Sequence, residues 1–416
     1  MRKGSIVKAI VFLIAIVLIE CFAYLAVDRF TTSVGKTVGL GIKTNYLVLS
    51  AIWLSIFFLI SRIRNSKRTS NLINFGLVFF MAFFVLKAVL ALFRLLDECK
   101  RLLSWLGSLL YDASSLPSWL ADGMNHSDLL WKISWVVGGI IFFCFFYGIS
   151  NRHRYKVQRL TLSFKNLPKS FTGFTIVQLS DIHSGSFTNR AGVQKGVDLV
   201  NSLQPDLVLF TGDLVNNKAD EMLDYLDIFK QIKGNYGVFS ILGNHDYGDY
   251  HQWKTPEQKK QNLQQLKDLQ QSMGWQLLLD ETVQIEKEDE SISLIGVENI
   301  SSSFSSYGNL PKAFDGAEKS KFKILMSHDP SHWSTEVLQD FKDIDLTLSG
   351  HTHGFQFGID AFGIKWSPAQ YVYKQWAGLY QEGEQFIYVN RGFGFLGYPG
   401  RVGILPEITY ITLQSK

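Results

Sequence analysis

Phe174-Thr175-Ile176-Val177-Gln178-Leu179-Ser180-Asp181-Ile182-His183 is the stretch that decides the fold. An apolar and β-branched run leads at once into a carboxylate and an imidazole. A short, nearly continuous apolar run reads as a strand buried on both faces. The same device recurs along the chain. The run 206–211 leads into Gly212-Asp213, and 237–242 into Gly243-Asn244-His245-Asp246. The run 322–327 leads into His328, and 345–349 into Gly350-His351-Thr352-His353. Helical patterns at 189–203 and 219–233 follow the first two strands, and a longer one at 256–273 follows the third. Strands at 384–390 and 407–413 complete the set. Spacing alone predicts a βαβ domain with polar side chains at its strand ends, where open α/β sheets gather their sites.

Five of the chain's nine histidines lie in these strand-end segments. Asp181 and His183 are two apart, so in extended backbone they project to the same side and can reach one ion. His351 and His353 repeat that spacing on a turn opened by Gly350. Asp213 offers two oxygens that can bridge two ions, Asn244 a neutral amide oxygen, and His328 a further imidazole. Each segment alone has an ordinary reading: a tight turn, or a histidine satisfied within a loop. All five in this order, each at a strand end, make a coincidence remote. Seven side chains with one shared provide about four ligands for each of two divalent metal ions and leave room for water. Imidazole with carboxylate suits a first-row metal: manganese first, with iron, zinc or magnesium as the other candidates.

The order Asp-x-His, Gly-Asp, Gly-Asn-His-Asp, His, Gly-His-x-His resembles the calcineurin-like metallophosphoesterases, over about 172–413. Within them the chain looks like the membrane-associated bacterial branch of the YkuE type, on Gly350 to Gln356, Tyr380, Asn390 to Gly394 and Pro406 to Tyr410. The resemblance implies an α/β, four-layer metallophosphoesterase sandwich, two β-sheets flanked by helices. It implies that Asp181, His183, Asp213 and His353 hold one metal and that Asp213, Asn244, His328 and His351 hold the other. His245 would not bind metal; it would contact a phosphoryl oxygen or protonate the leaving group, with Asp246 orienting its ring. The expected activity is hydrolysis of a phosphoester or pyrophosphate bond by in-line attack of a metal-bridging hydroxide. The alternative is a lipid-linked nucleotide pyrophosphatase with a substrate like UDP-diacylglucosamine. A receptor or scaffold without catalysis is a poor fit, because none of the seven ligands is lost. One departure is Phe355, where that branch often carries a second glycine; its side chain would narrow the loop beside the metals.

The first 150 residues are of another kind. The chain is 47% hydrophobic and 14% aromatic, and the excess lies there. Apolar stretches at 7–27, 45–61, 72–93 and 129–149 are each near the ~20 residues that cross a bilayer as helix. These predict a helical transmembrane region over 1–150 ahead of a catalytic domain over 151–416. The first stretch lacks a clear small-x-small cleavage site, which favours an uncleaved helix over a signal peptide. Arg2 and Lys3, then Arg62, Arg64, Lys67 and Arg68, then Arg152, Arg154 and Lys156 fall on one side if all four segments span. That places the catalytic domain in the cytoplasm of a multi-pass cell-membrane protein. Glu20 and Lys87 are costly in hydrocarbon unless paired. A Glu–Lys contact or snorkelling explains them more simply than a transport pathway. The interrupted segment 102–121 reads as an interfacial hairpin anchored by Trp105 and Trp119.

Cys21, Cys99 and Cys144 all lie in the first 150 residues, so the second part can have no disulfide of its own and no thiolate metal site. The net charge of +4 carries no nucleic-acid signature. The expected partners are the membrane and a phosphoester substrate. Aromatic residues from Phe355 to Tyr398, among them Phe362, Trp366, Tyr371 and Tyr373, fit either an acyl chain or the membrane on one reading. On the other they are loop packing around the site.

Overall fold

The computed structural model of the chain describes residues 3–32, 36–63, 71–111, 115–361 and 363–416. It divides into two compact units: Met1–Lys67 with Leu72–Tyr147, and Arg68–Asn71 with Gly148–Lys416.

The first unit is helical: α1 (Lys3–Thr32), α2 (Lys36–Ile63), α3 (Asn71–Ser108), the short α4 (Ser118–Gly123) and α5 (Asp128–Ser150). Among the described residues, three stretches are long and apolar enough to cross a membrane: Lys36–Ser55, Phe75–Ser108 and Ser118–Ser150. Lys87 is buried, with Nζ 2.6 Å from Glu20 Oε2, 2.9 Å from Ser50 Oγ and 4.5 Å from the Trp53 ring centroid. The Glu–Lys contact expected from sequence is therefore made, and it ties α1, α2 and α3 together. The hairpin expected over 102–121 is not seen in its first part. There α3 continues to Ser108, because Leu102, Leu103 and Leu106 are good helix formers and Glu98 pairs with both Arg94 (2.6 Å) and Arg101 (2.7 Å). Arg2, Arg64, Lys67, Arg68 and Phe362, all used in the sequence reading, lie outside the described residues.

The second unit holds β1 (Lys156–Phe164), β2 (Thr175–Leu179), β3 (Leu207–Phe210), β4 (Val238–Ser240) and β5 (Gln276–Leu277). These are followed by β6 (Glu281–Lys287), β7 (Glu290–Gly296), β8 (Lys323–Met326) and β9 (Leu346–Ser349). Next come the ribbon β10 (Ile359–Ala361) and β11 (Ile364–Trp366), then β12 (Gly378–Glu382), β13 (Gln385–Val389) and β14 (Glu407–Ser415). They form two six-stranded sheets, ordered β1-β14-β2-β3-β4-β5 and β12-β13-β9-β8-β7-β6, with β10-β11 apart. The pairs β2–β3, β3–β4, β7–β8 and β8–β9 are parallel.

A core of Ile176, Leu207, Leu209 and Phe239 from one sheet and Leu294, Ile324, Met326 and Leu346 from the other lies between them. Helix α6 (Arg190–Ser202), the short α7 (Leu226–Phe229) and α8 (Pro256–Ser272) cover the outer face of the first sheet, through Val193, Val197, Phe229 and Leu266. Short helical turns carrying Leu310, Trp333 and Val337 cover the second. The order helix, sheet, sheet, helix is the four-layer α/β sandwich.

Two expectations need correction. The helix over 219–233 is a 3-10 turn at Ala219–Met222 and then α7, broken at Tyr225 (φ −128°), which lets Met222, Tyr225 and Phe229 all reach the core. Strands β1, β6, β7 and β12 had no strand-end ligand to announce them. Strands β1, β6 and β12 are edge strands, whose mixed polarity hides the apolar signal.

Candidate metal centre

The structure gathers the candidate ligands at adjoining strand ends. Asp181 and His183 follow β2, Asp213 follows β3, Asn244 follows β4, His328 follows β8, and His351 and His353 follow β9. Asp181, His183 and His353 form one cluster and Asp213, His328 and His351 another; within each, one ligand atom per residue lies within 4.8 Å of the others. Asp213 faces both clusters: its Oδ2 is 3.5 Å from His183 Nε2 and 3.2 Å from His328 Nε2. Asn244 Oδ1 joins the second cluster, 3.1 Å from His328 Nε2 and 2.9 Å from His351 Nδ1. In the first cluster His353 Nε2 is 3.4 Å from Asp181 Oδ1.

The backbone is bent to make this possible. Asp181, His183, Asp213, His351 and His353 all have positive φ, between 47° and 71°. Left-handed backbone costs an L-residue roughly 1–2 kcal/mol, and it persists where surrounding structure over-determines it. Two glycines are part of that structure. A Cβ on Gly350 would run into Ser180 Oγ and Asp181 Oδ2, and one on Gly243 into the Asp213 carboxylate. Asp246 is the other part. Its carboxylate accepts backbone N–H bonds from Asp213 (2.9 Å), Leu214 (2.8 Å), Val215 (3.2 Å) and Gly243 (2.9 Å), and so shapes the loop that carries Asp213.

That corrects the role expected for Asp246. With both oxygens engaged by the loop, it does not hold the His245 ring. The Asn216 carbonyl does, 2.8 Å from His245 Nδ1, which leaves Nε2 as the atom His245 can offer. The His245 backbone N–H donates to Asp213 Oδ1 at 2.8 Å, so ring and ligand are fixed to one another.

Partners set the ligand atom of each imidazole. His328 Nδ1 donates to the Thr211 carbonyl at 2.8 Å, so Nε2 faces the cluster. His351 turns the other way: Nδ1 faces Asn244 and His328, while Nε2 lies 3.0 Å from Tyr373 Oη and 3.7 Å from Asp329 Oδ2. The Asn244 amide is oriented by Nδ2, which donates to Tyr250 Oη at 2.8 Å. Arg401, fully buried, donates to the carbonyls of Arg391 (2.7 Å), Gly392 (3.1 Å) and His353 (3.3 Å) and braces the loop behind His353. Tyr250, Asp329, Tyr373, Arg401 and Asn216 were not picked out as site residues from sequence. They follow no strand-end pattern; only Tyr373, in the aromatic run, and Asp329, next to His328, had any signal.

The electrostatics favour cations at this place. Burial pushes His183 down to about 3 and His351 to about 4, and carries His353 well below the usual imidazole range, so these three are neutral lone-pair donors. Burial pushes Asp181 up to about 6. Burial would also raise Asp213, but the imidazoles of His328 and His245 outweigh it and hold its carboxyl well below the usual range. Burial would lower His328, and Asp213 outweighs that and lifts it to about 10. A cation can thus take the place of the His328 proton beside Asp213 in the second cluster. The first cluster fits a metal on a separate ground. His183 Nε2 and His353 Nε2 are buried with no hydrogen-bond partner, although each faces a carboxylate. Buried polar atoms without a partner call for an explanation, and a coordinated ion supplies one. Two candidate sites for divalent metal ions therefore lie side by side.

Comparison with known proteins agrees with this geometry. Residues 174–355 match the family model described as calcineurin-like phosphoesterase, and residues 3–152 match a model described as probable calcineurin-like phosphoesterase, transmembrane domain. A "transmembrane protein with metallophosphoesterase domain" of Danio rerio is 30% identical over 325 residues, 75% of this chain and 68% of its own length. The protein so described in Bos taurus is 32% identical over 60% of this chain, which spans 55% of that relative. The "uncharacterized metallophosphoesterase YkuE" of Bacillus subtilis (strain 168) is 30% identical over 63% of this chain and 87% of its own length. Both halves of the sequence are thereby accounted for: the chain belongs to the calcineurin-like phosphoesterases, as a metal-dependent phosphoesterase of the membrane.

Proposed function

We propose that the chain hydrolyses a phosphodiester or phosphomonoester at a binuclear centre shared through Asp213. The observation that carries this is the position of Asp213 Oδ2, 3.5 Å from His183 Nε2 and 3.2 Å from His328 Nε2, between two ligand clusters. In this reading Asp181, His183, Asp213 and His353 hold one ion, and Asp213, Asn244, His328 and His351 hold the other; manganese is the expected metal. Two such ions, when bound, supply an activated water near neutral pH and neutralise charge on the phosphoryl group.

The chain's own residues do the rest. His245, with Nδ1 engaged by Asn216, presents Nε2 to a phosphoryl oxygen or to the leaving oxygen, and can hydrogen-bond the first or protonate the second. Asp246 keeps Asp213 and His245 in register by holding the backbone N–H groups of Asp213 to Val215 and of Gly243. Tyr250 holds the Asn244 oxygen in place, and Tyr373 does the same for the His351 ring. We further propose that residues 1–150 form a membrane region of four passes with the domain 151–416 on the cytoplasmic face. Support comes from the basic residues of the sequence and from α1, whose 30 residues are long enough to span.

The experiment is hydrolysis by the purified full chain with Mn²⁺, comparing a chromogenic phosphodiester with a phosphomonoester. His245→Ala should lose rate and keep both metals. Loss of metal in that variant would remove His245 from its assigned role.

A further inference from the structure

Most of the exposed large hydrophobic residues described in the second unit fall in one segment of the chain. Phe355, Ile359, Ile364, Tyr371, Val372 and Leu379 are all large, hydrophobic and exposed, and all fall within 355–379. Tyr371 (76%), Val372 (65%) and Ile364 (56%) are the most exposed large hydrophobics among the described residues of that unit. Two of the six, Ile359 and Ile364, sit on the β10–β11 ribbon, which pairs Ile359 with Trp366, Asp360 with Lys365 and Ala361 with Ile364 and joins neither six-stranded sheet. An isolated two-stranded ribbon is marginal in water, and a contiguous exposed apolar patch marks a surface that something covers.

The position of the ribbon says what covers it. Its base is bonded to the segment 401–402: Gly358 N donates to Val402 O at 2.9 Å, and Val402 N to Gln356 O at 2.8 Å. That segment is bonded in turn to the end of α5: Arg401 N donates to Gly148 O at 2.9 Å, and Asn151 Nδ2 to Arg401 O at 3.2 Å. Gly148 belongs to the last turn of Ser118–Ser150, a stretch apolar enough to span a membrane. Lys156 Nζ, just beyond that helix, is 3.8 Å from Asp360 on the ribbon. The base of the ribbon is therefore bonded, through residues 401–402, to the last turn of α5, where the second unit begins. Its one carboxylate near the tip, Asp360, also pairs with Arg391 at 3.2 Å, which leaves no free acid to repel anionic headgroups.

We propose that the 359–372 segment lies in the surface of the lipid bilayer, with Ile364 and Val372 among the acyl chains and Tyr371 at headgroup level. The same run begins at His353 and reaches Tyr373, whose hydroxyl is 3.0 Å from His351 Nε2. Seating it in the bilayer holds the metal centre at the interface. The phosphoester served there is one carried by an amphiphile, with its phosphorus at headgroup depth. This last step rests on the hydrolytic reading above; the bilayer contact does not.

The test uses the full chain, with Cys21, Cys99 and Cys144 replaced by Ser, in vesicles of phosphatidylethanolamine and phosphatidylglycerol. A nitroxide is placed at Ile364→Cys, at Val372→Cys, or at Leu223→Cys as an exposed control. At 364 and 372, collisions with oxygen should exceed those with a water-soluble nickel chelate, and at 223 the order should reverse. Water-like accessibility at 364 and 372 overturns the proposal, as does a short label-to-label distance between two copies, which would make the patch a dimer contact. The second arm measures turnover of Ile364→Ser/Val372→Ser. It should match the parent on a soluble chromogenic phosphodiester and fall about tenfold on a diacylated one in the same vesicles. Equal rates on the vesicle substrate overturn the amphiphile assignment. A parent inactive on both substrates, with labels still in lipid, sinks the hydrolytic reading and leaves the bilayer contact standing.

Discussion

The two ligand clusters are built from the same residue types but are held together differently. In the second, Asn244 Oδ1, His328 Nε2 and His351 Nδ1 lie 2.9–3.2 Å from one another and satisfy each other's polar atoms. In the first, His183 Nε2 and His353 Nε2 have no hydrogen-bond partner. A buried donor or acceptor without a partner costs about 1–3 kcal/mol. An ion entering the first cluster removes that cost, whereas an ion entering the second must break bonds already made. The difference teaches that the two candidate sites are not equivalent: the first cluster should bind an ion more tightly and stabilise the fold more.

The largest expected effect comes from Asp213, the residue that faces both clusters. Asp213→Ala should bring turnover down by more than ~10³-fold and reduce bound metal from two per chain to one or none. Retention of two ions by elemental analysis would dissolve the idea of a shared ligand. Next, His353→Ala and His351→Ala should separate the clusters. Loss of His353 should remove the tighter ion and cancel most of the thermal stabilisation that metal confers, while loss of His351 should weaken only the looser ion. Calorimetric titration of both variants checks this; equal losses would make the clusters equivalent. His245→Ala should lower kcat by about 10²–10⁴-fold while both ions stay bound. The smallest effect is expected at Tyr373→Phe. Removing the hydroxyl beside His351 Nε2 should weaken the looser ion by roughly tenfold and leave the tighter one unchanged. A shift in the tighter ion instead would mean that Tyr373 acts through the fold and not through His351.

Much of this site was legible in the sequence because each ligand directly follows an apolar strand, and β2, β3, β4, β8 and β9 all appear where such runs were read. Which candidate side chains gather was legible for the same reason, since the strand end fixes which residue is presented. What orients the ligands was not. Asp246 looked like a partner for the neighbouring histidine, yet its carboxylate is taken up by four backbone N–H groups. That outcome depends on the positive φ of Gly212 and Asp213, which no residue pattern displays. Tyr373 and Arg401 reach the site from loops far along the chain, and long-range placement of a side chain leaves no local signal. In the membrane half, apolar length located the helices but not their ends. Ion pairs around Glu98 carry α3 on to Ser108, and the apolar stretch read at 72–93 stops short of them.

The central claim is that two ions share Asp213 and together make the chain a phosphoesterase. It is tested most directly by measuring bound metal and chromogenic phosphodiester hydrolysis on the same preparations of the full chain, parent and Asp213→Ala, as Mn²⁺ is added. The account predicts turnover in the parent that rises with the second equivalent of metal, and neither the second equivalent nor turnover in the variant. Parent turnover complete at one equivalent, or a variant that binds two ions and still turns over, would contradict it.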